Sequence, residues 1–201
     1  MLKLSVGNML DNLKKYKVVL ASNSPRRKEL LSGLGIDYEV KTLPDIDESF
    51  PGGLSEVETA TYIARAKADV YRNIMQPDEL IITADTIVWL DGEVMGKPLD
   101  GEDARRMLRA LSGKTHQVIT GVCLTTIDSQ KAFATVTDVT FCHLSEEEIG
   151  YYVERYRPMD KAGSYGIQEW IGFVGVESIS GSYFNVMGLP IQRLYTELKK
   201  F

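Results

Sequence analysis

The 201-residue chain is poor in the residues that staple folds or bind zinc: two cysteines, Cys123 and Cys142, and two histidines, His116 and His143. So few thiols exclude a disulfide scaffold, and no spacing among the four residues matches a zinc site. His116 and Cys123 read as packing residues, and two histidines assemble no Ser–His–Asp set. A basic surplus is also missing: 23 Lys+Arg stand against 28 Asp+Glu, for a formal net charge of −5. That balance argues against a nucleic-acid partner and leaves attraction of anions to a local basic cluster. Long apolar runs are absent too. The longest stretch without a formal charge, Ser178 to Gln192, contains Gly, Asn and Pro and is too short to cross a bilayer, so no membrane partner is expected. No signal-peptide core precedes Lys17. A reducing, cytoplasmic setting is the expectation.

What is present is ordinary globular composition, 44% hydrophobic and 25% charged, in a length that suits one domain, residues 1–201. Leu2, Val6, Met9, Leu10 and Leu13 recur at helical spacing and predict a short helix in an N-terminal extension, 1–16. Lys17 to Ala21 reads as a strand, and Ser24 and Pro25 as the N-cap and first position of a helix that turns Leu30, Leu31 and Leu34 inward. A strand over Tyr38 to Leu43 follows. Ser55 with Glu58, and Ser145 with Glu148, are capping boxes. Ile81 to Leu90 is a strand closed by an Asp91-Gly92 hairpin turn. Asp100 caps a helix with Ala104, Met107, Leu108 and Leu111 on one face. Strands at 117–127 and 133–142, short strands around 173–187 and a helix after Pro190 complete the chain. The mixture predicts an α/β fold with a mixed parallel and antiparallel sheet flanked by helices.

Five places break this pattern. Ser22-Asn-Ser-Pro-Arg26-Arg27 puts two arginines in the first turn of a helix, the wrong sign for the helix dipole unless a phosphate lands there. A solvated arginine pair is the alternative. Lys67 sits within an apolar helical stripe of Ala60, Ile63, Ala64, Val70, Tyr71 and Ile74, and must either snorkel out or meet an anion. Asp85 shares a strand face with Ile81, Thr83, Ile87 and Trp89, where a carboxylate needs a lysine, a metal ion or a role as general base. Gly96-Lys97-Pro98 lacks P-loop spacing but places a lysine on a rigid corner, where it could address a phosphate. Asp45, Asp47 and Glu48 form an acidic loop of the kind that holds a divalent cation beside phosphates, or is merely solvated.

In this order, these tracts resemble the Maf family. The matching segments are Leu20 to Leu31, Ala66-Lys67-Ala68, Ala84-Asp85-Thr86, Gly96-Lys97-Pro98, Leu111-Ser-Gly113 with His116, Pro158 to Gln168, and Asn185 to Pro190. The resemblance covers about residue 17 to the last residue. It implies a Maf/ITPase-like fold with a cleft between two lobes, and hydrolysis of a nucleoside triphosphate to the monophosphate and pyrophosphate. It also implies a divalent cation (Mg²⁺ or Mn²⁺, with Co²⁺ a further candidate) and a homodimer. By that resemblance Asp85 is the proton acceptor, and Lys67, Lys97 and Arg26 hold phosphates, with Ser22 and Arg27 in the same tract. Asp85, Asp47 and Glu48 are the metal candidates, although the family often has glutamate where this chain has Asp47. Arginine at Arg26, Thr86 and Gln168 resemble the subgroup that acts on dTTP and UTP, and an amide suits a uracil or thymine edge. A reading of another class is a non-catalytic nucleotide-binding regulator of septum formation.

Overall fold

The computed structural model describes residues 9–201. Most of the helix expected from Leu2 onward lies outside them. Within them, Asp11–Lys15 is one 3₁₀ helix with Leu13 and the preceding Leu10 buried, tied to the last helix by Asn12 Nδ2 donating to the Leu198 carbonyl. In chain order the elements are β1 (Lys17–Leu20), α1 (Pro25–Ser32), β2 (Glu39–Val40), α2 (Glu56–Arg72), β3 (Glu79–Leu90) and β4 (Glu93–Met95). Then come α3 (Gly101–Leu111), β5 (Thr115–Thr125), β6 (Gln130–Phe141), α4 (Glu146–Tyr156), α5 (Trp170–Gly175), β7 (Val176–Ser180), α6 (Tyr183–Met187) and α7 (Ile191–Leu198).

The strands form one seven-stranded sheet in the order β2-β1-β3-β5-β6-β7, with β4 added to β3. β1 pairs in parallel with β2 and β3, and all other pairings are antiparallel. The mixed sheet expected from the sequence is therefore present. Helix α2 covers one face, packing Ala60 and Ile63 on Ile87 and Ile119, and Ala64 and Ala68 on Cys123. The opposite face carries the larger core, where Leu20, Leu31, Ile82, Leu108, Leu111, Val122 and Tyr152 are buried. Each such aliphatic side chain contributes roughly 1.5–3 kcal/mol by leaving water.

Local chemistry sets the element ends. Ser24 accepts from the Arg27 amide with Pro25 at the first turn, and both capping boxes form reciprocally. Asp91 and Gly92 both take positive φ, the conformation a two-residue hairpin requires. Two expectations need correction. The strand over Tyr38 to Leu43 pairs only at Glu39–Val40, because β1 ends at Leu20 and offers no partner further on. Of the short strands expected over 173–187 one forms, β7, and it is flanked by the helices α5 and α6. The β-branched and aromatic residues there favour strand, but Ser182 caps α6 and Gly188 closes it at φ +116.

One glycine sets the approach of α2 to the sheet. Gly121 lies opposite Asp85 in the β3–β5 register, and a Cβ there would overlap the Ala60 carbonyl. The helix backbone rests directly on the sheet, so that its next turns bring Lys67 over Asp85.

Candidate active site

Strand β3 is partnered unequally on its two edges. β5 runs along it from Ile81 to Trp89, whereas β1 covers the other edge only to Ile82 and β4 takes it up again at Val88. Residues 83–87 thus face a gap in the sheet at the carboxyl end of β1, the position where open α/β sheets receive ligands. A cleft of about 870 Å³ opens there. Its one side is the β1–α1 turn and the loop over 42–50, and its other is Val94, Gly96, Lys97 and the loop over 160–168.

Arg27 takes the place of the missing strand. Its Nη1 donates to the Ala84 carbonyl at 2.8 Å, Nη2 to Thr86 Oγ1 at 3.1 Å and Nε to the Gly188 carbonyl at 2.8 Å, with Ser22 Oγ at 3.5 Å from Nη1. Most of its five N–H groups are spent on the protein, so it fixes the β3 backbone and the Gly188 turn rather than reaching into the cleft. Burial lowers the guanidinium pKa while the Asp85 charge opposes that. Thr86 continues the polar chain inward to Thr120 Oγ1 at 2.9 Å, which donates to the Asn185 carbonyl at 3.0 Å. Arg26 differs from its neighbour: it lines the cleft and reaches Asp160 at 3.2 Å.

The α2 side of the cleft is a cluster of charges. Lys67 Nζ lies 2.7 Å from Asp85 Oδ1 and 2.7 Å from Glu48 Oε1, and Lys97 Nζ is 3.8 Å from Glu48 Oε2. Lys67 therefore meets anions rather than snorkelling. Thr83 beside Asp85 donates to the Ala64 carbonyl, which locks strand and helix together at this point. Burial raises the Glu48 carboxyl, but the Lys67 hydrogen bond and charge, followed by Lys97 and Arg27, outweigh it and hold the group below its usual range.

Ser22, Arg26, Arg27, Glu48, Lys67, Asp85, Thr86, Lys97 and Gln168 all line this one cleft. Asp47 does not join them. Its carboxylate accepts from the Ser49 amide at 2.8 Å and the Ser49 hydroxyl at 2.9 Å, which hold it below its usual pKa in a surface turn. Among the described residues no group of three His, Cys, Asp or Glu converges as a cation site. Glu48 and Asp85 do share Lys67, a pair of hard oxygen donors that fits a Mg²⁺-type ion held jointly with substrate phosphates.

Residues 17–201 match the model of the family described as Maf-like protein. The chain belongs to the Maf family. It is 73% identical over 192 residues to the dTTP/UTP pyrophosphatase of Phocaeicola vulgatus, covering 96% of this chain and all of that one. The dTTP/UTP pyrophosphatase of Bacteroides thetaiotaomicron is 68% identical over the same lengths, and that of Flavobacterium johnsoniae is 46% identical over 94% of this chain and 96% of its own.

On the far wall this Maf chain presents Gln168, whose Oε1 is buried without a partner. Behind it, His116 Nε2 bonds the Tyr165 hydroxyl at 2.7 Å, with Phe141 edge-on to both rings. Burial pushes His116 down to about 4, so the ring is neutral. Sequence reasoning missed Lys161 and Glu169 beside this loop. A charged residue in a glycine-bearing loop carries no periodicity, so nothing local signals that Lys161 is buried.

Proposed function

We propose that this chain hydrolyses dTTP and UTP to the monophosphate and pyrophosphate. The observation that carries the reading is the Asp85–Lys67–Glu48 cluster in a cleft at the open edge of β3, with Gln168, whose amide oxygen is buried without a partner, on the facing wall. The names of relatives up to 73% identical support it.

In this reading the triphosphate lies against Lys67, Lys97 and Arg26, which all line the cleft and offset its charge. Asp85 Oδ1 is taken by Lys67, leaving Oδ2 for the proton of the attacking water. As the water oxygen bonds to the α-phosphorus, the bond from that phosphorus to the bridging oxygen breaks. The two lysines then stabilise the charge gathering on the departing pyrophosphate. Glu48 would hold Mg²⁺ or Mn²⁺ together with the substrate phosphates, with Asp85 as a ligand only in place of its role as base, and such an ion supplies charge neutralisation and a more acidic water. Asp47 joins that set only if its bonds to Ser49 open.

At the base, Gln168 offers an acceptor to the imide N–H of uracil or thymine and a donor to the neighbouring carbonyl. Cytosine presents an acceptor in place of that N–H, so it leaves the Gln168 carbonyl facing a lone pair. The reading extends to one Maf-like domain over 1–201, supported by the continuous sheet, and to a homodimer in the cytoplasm. Phe173, Val174, Tyr183 and Phe184 are exposed on α5 and α6 and support a dimer surface. No helix among the described residues is long and apolar enough to cross a membrane.

A panel of nucleoside triphosphates with Mg²⁺ or Mn²⁺, read as phosphate after added inorganic pyrophosphatase, tests the reading. Phosphate from dTTP and UTP well above that from ATP, GTP and CTP is expected. No release from any nucleotide would leave a binding protein.

A further inference from the structure

The loop that carries Gln168 is closed on itself by charge. Lys161, 8% exposed, pairs with Asp160 at 2.8 Å and with Glu169 at 3.1 Å, so the two ends of the segment 161–169 are joined. Glu169 accepts a hydrogen bond from the Tyr152 hydroxyl on α4, and the same hydroxyl accepts from the Gly166 amide at 3.0 Å. The start, middle and end of the loop are thus tied, directly or through Glu169, to one tyrosine. Burial and then the Glu169 hydrogen bond raise the Tyr152 phenol, which keeps its proton for that bond. Just beyond, Gly172 lies so close to the Ile167 carbonyl that any Cβ would overlap it, which fixes the exit of the loop.

Gln168 stands inside this bracket, with its Oε1 buried and unpartnered. An amide has no charge to anchor it and rotates freely about its last bonds. It discriminates a donor from an acceptor only when the backbone that carries it is held. Lys161 and Glu169 are costly to bury singly and stable only as a pair, so the bracket stands or falls as a unit.

We infer that Lys161, Glu169 and Tyr152 form a positioning bracket for Gln168, and that Glu169 thereby sets base selection without touching the nucleotide. The inference rests on the base-reading role proposed for Gln168.

The test compares wild type with Glu169→Ala, Glu169→Gln and Tyr152→Phe. Glutamine can still accept from Tyr152 and Lys161 and is the rescue. Phenylalanine removes the tie to α4 but leaves the ion pair, which keeps a folded variant available if alanine unfolds the chain. Glu169→Ala and Tyr152→Phe should raise KM for UTP about tenfold with kcat and the slow turnover of ATP unchanged, and glutamine should restore most of the loss. Hydrogen exchange of the backbone amides across 162–168 should accelerate in the same two variants. Folded variants with the wild-type UTP-to-ATP ratio, equal losses on every nucleotide, or unaltered exchange would each overturn the bracket. If wild type itself shows no preference for UTP, the reading of Gln168 fails, and the exchange measurement still decides whether the bracket holds the loop.

Discussion

On the α2 wall of the cleft the charges already have partners: Lys67 joins Asp85 and Glu48, and Glu48 leans toward Lys97. On the opposite wall Gln168 keeps a buried carbonyl without any. The difference follows from what each group costs to leave alone. An unpaired ion in a partly desolvated cleft is prohibitive, so phosphate-binding cations and the carboxylates around them hold one another until a ligand arrives. A triphosphate there exchanges one set of ionic contacts for another, and little of its gross attraction appears as affinity. A neutral amide left unpaired costs only about 1–3 kcal/mol, and a matching base recovers it. The chemistry is concentrated on one wall, and discrimination on the other.

The sharpest way to break the charged wall is Asp85→Asn, which keeps size but removes charge and basicity. Lys67 retains Glu48 as counter-charge, so the fold should hold while kcat falls by roughly 10²–10⁴ on every nucleotide. Near-normal turnover in steady-state assays would remove Asp85 from the chemistry. Next in size is Lys67→Met, which preserves the apolar stripe of α2. A loss of about 2–5 kcal/mol in transition-state stabilisation, measured as kcat/KM for dTTP, is expected if the ammonium meets phosphate. A neutral effect would make it a structural counter-ion for Asp85.

The wall that carries Gln168 has its own weakness at low pH. His116 is held neutral by burial, with its pKa lowered from 6.5 to about 4. As pH falls from 6.5 toward 4 the unfolded chain takes up a proton that the folded chain refuses. Stability present in full above 6.5 is therefore lost through that window, on the order of 3 kcal/mol for the whole shift. Thermal melts of wild type and His116→Gln between pH 7 and 4 should show the steeper decline in wild type, and parallel curves would remove His116 as the cause.

Much of this was legible in the sequence because the signals are local. Ser24-Pro25 and the two capping boxes announce their helices, and alternation alone puts Asp85 on the same face as Thr83 and Ile87. Asp85 and Lys67 stood out as charges in apolar patterns, and they prove to be each other's partners. The role of Arg27 was hidden because it depends on where β1 stops beside β3, a non-local pairing that no motif encodes. The same holds for Lys161 and Glu169, joined only by the path of a loop. Asp47 and Glu48 are adjacent and chemically alike, yet Glu48 turns to Lys67 and Asp47 to Ser49, a choice made by backbone geometry.

The separation of the two walls is tested most directly by kcat/KM for dTTP, UTP and ATP in Gln168→Ala, set beside Asp85→Asn. Removing the amide should cost about 1–3 kcal/mol on dTTP and UTP and leave ATP unchanged, whereas Asp85→Asn lowers all three together. Equal losses on all three nucleotides in Gln168→Ala would contradict the division, and would place Gln168 with the groups that act on the phosphates.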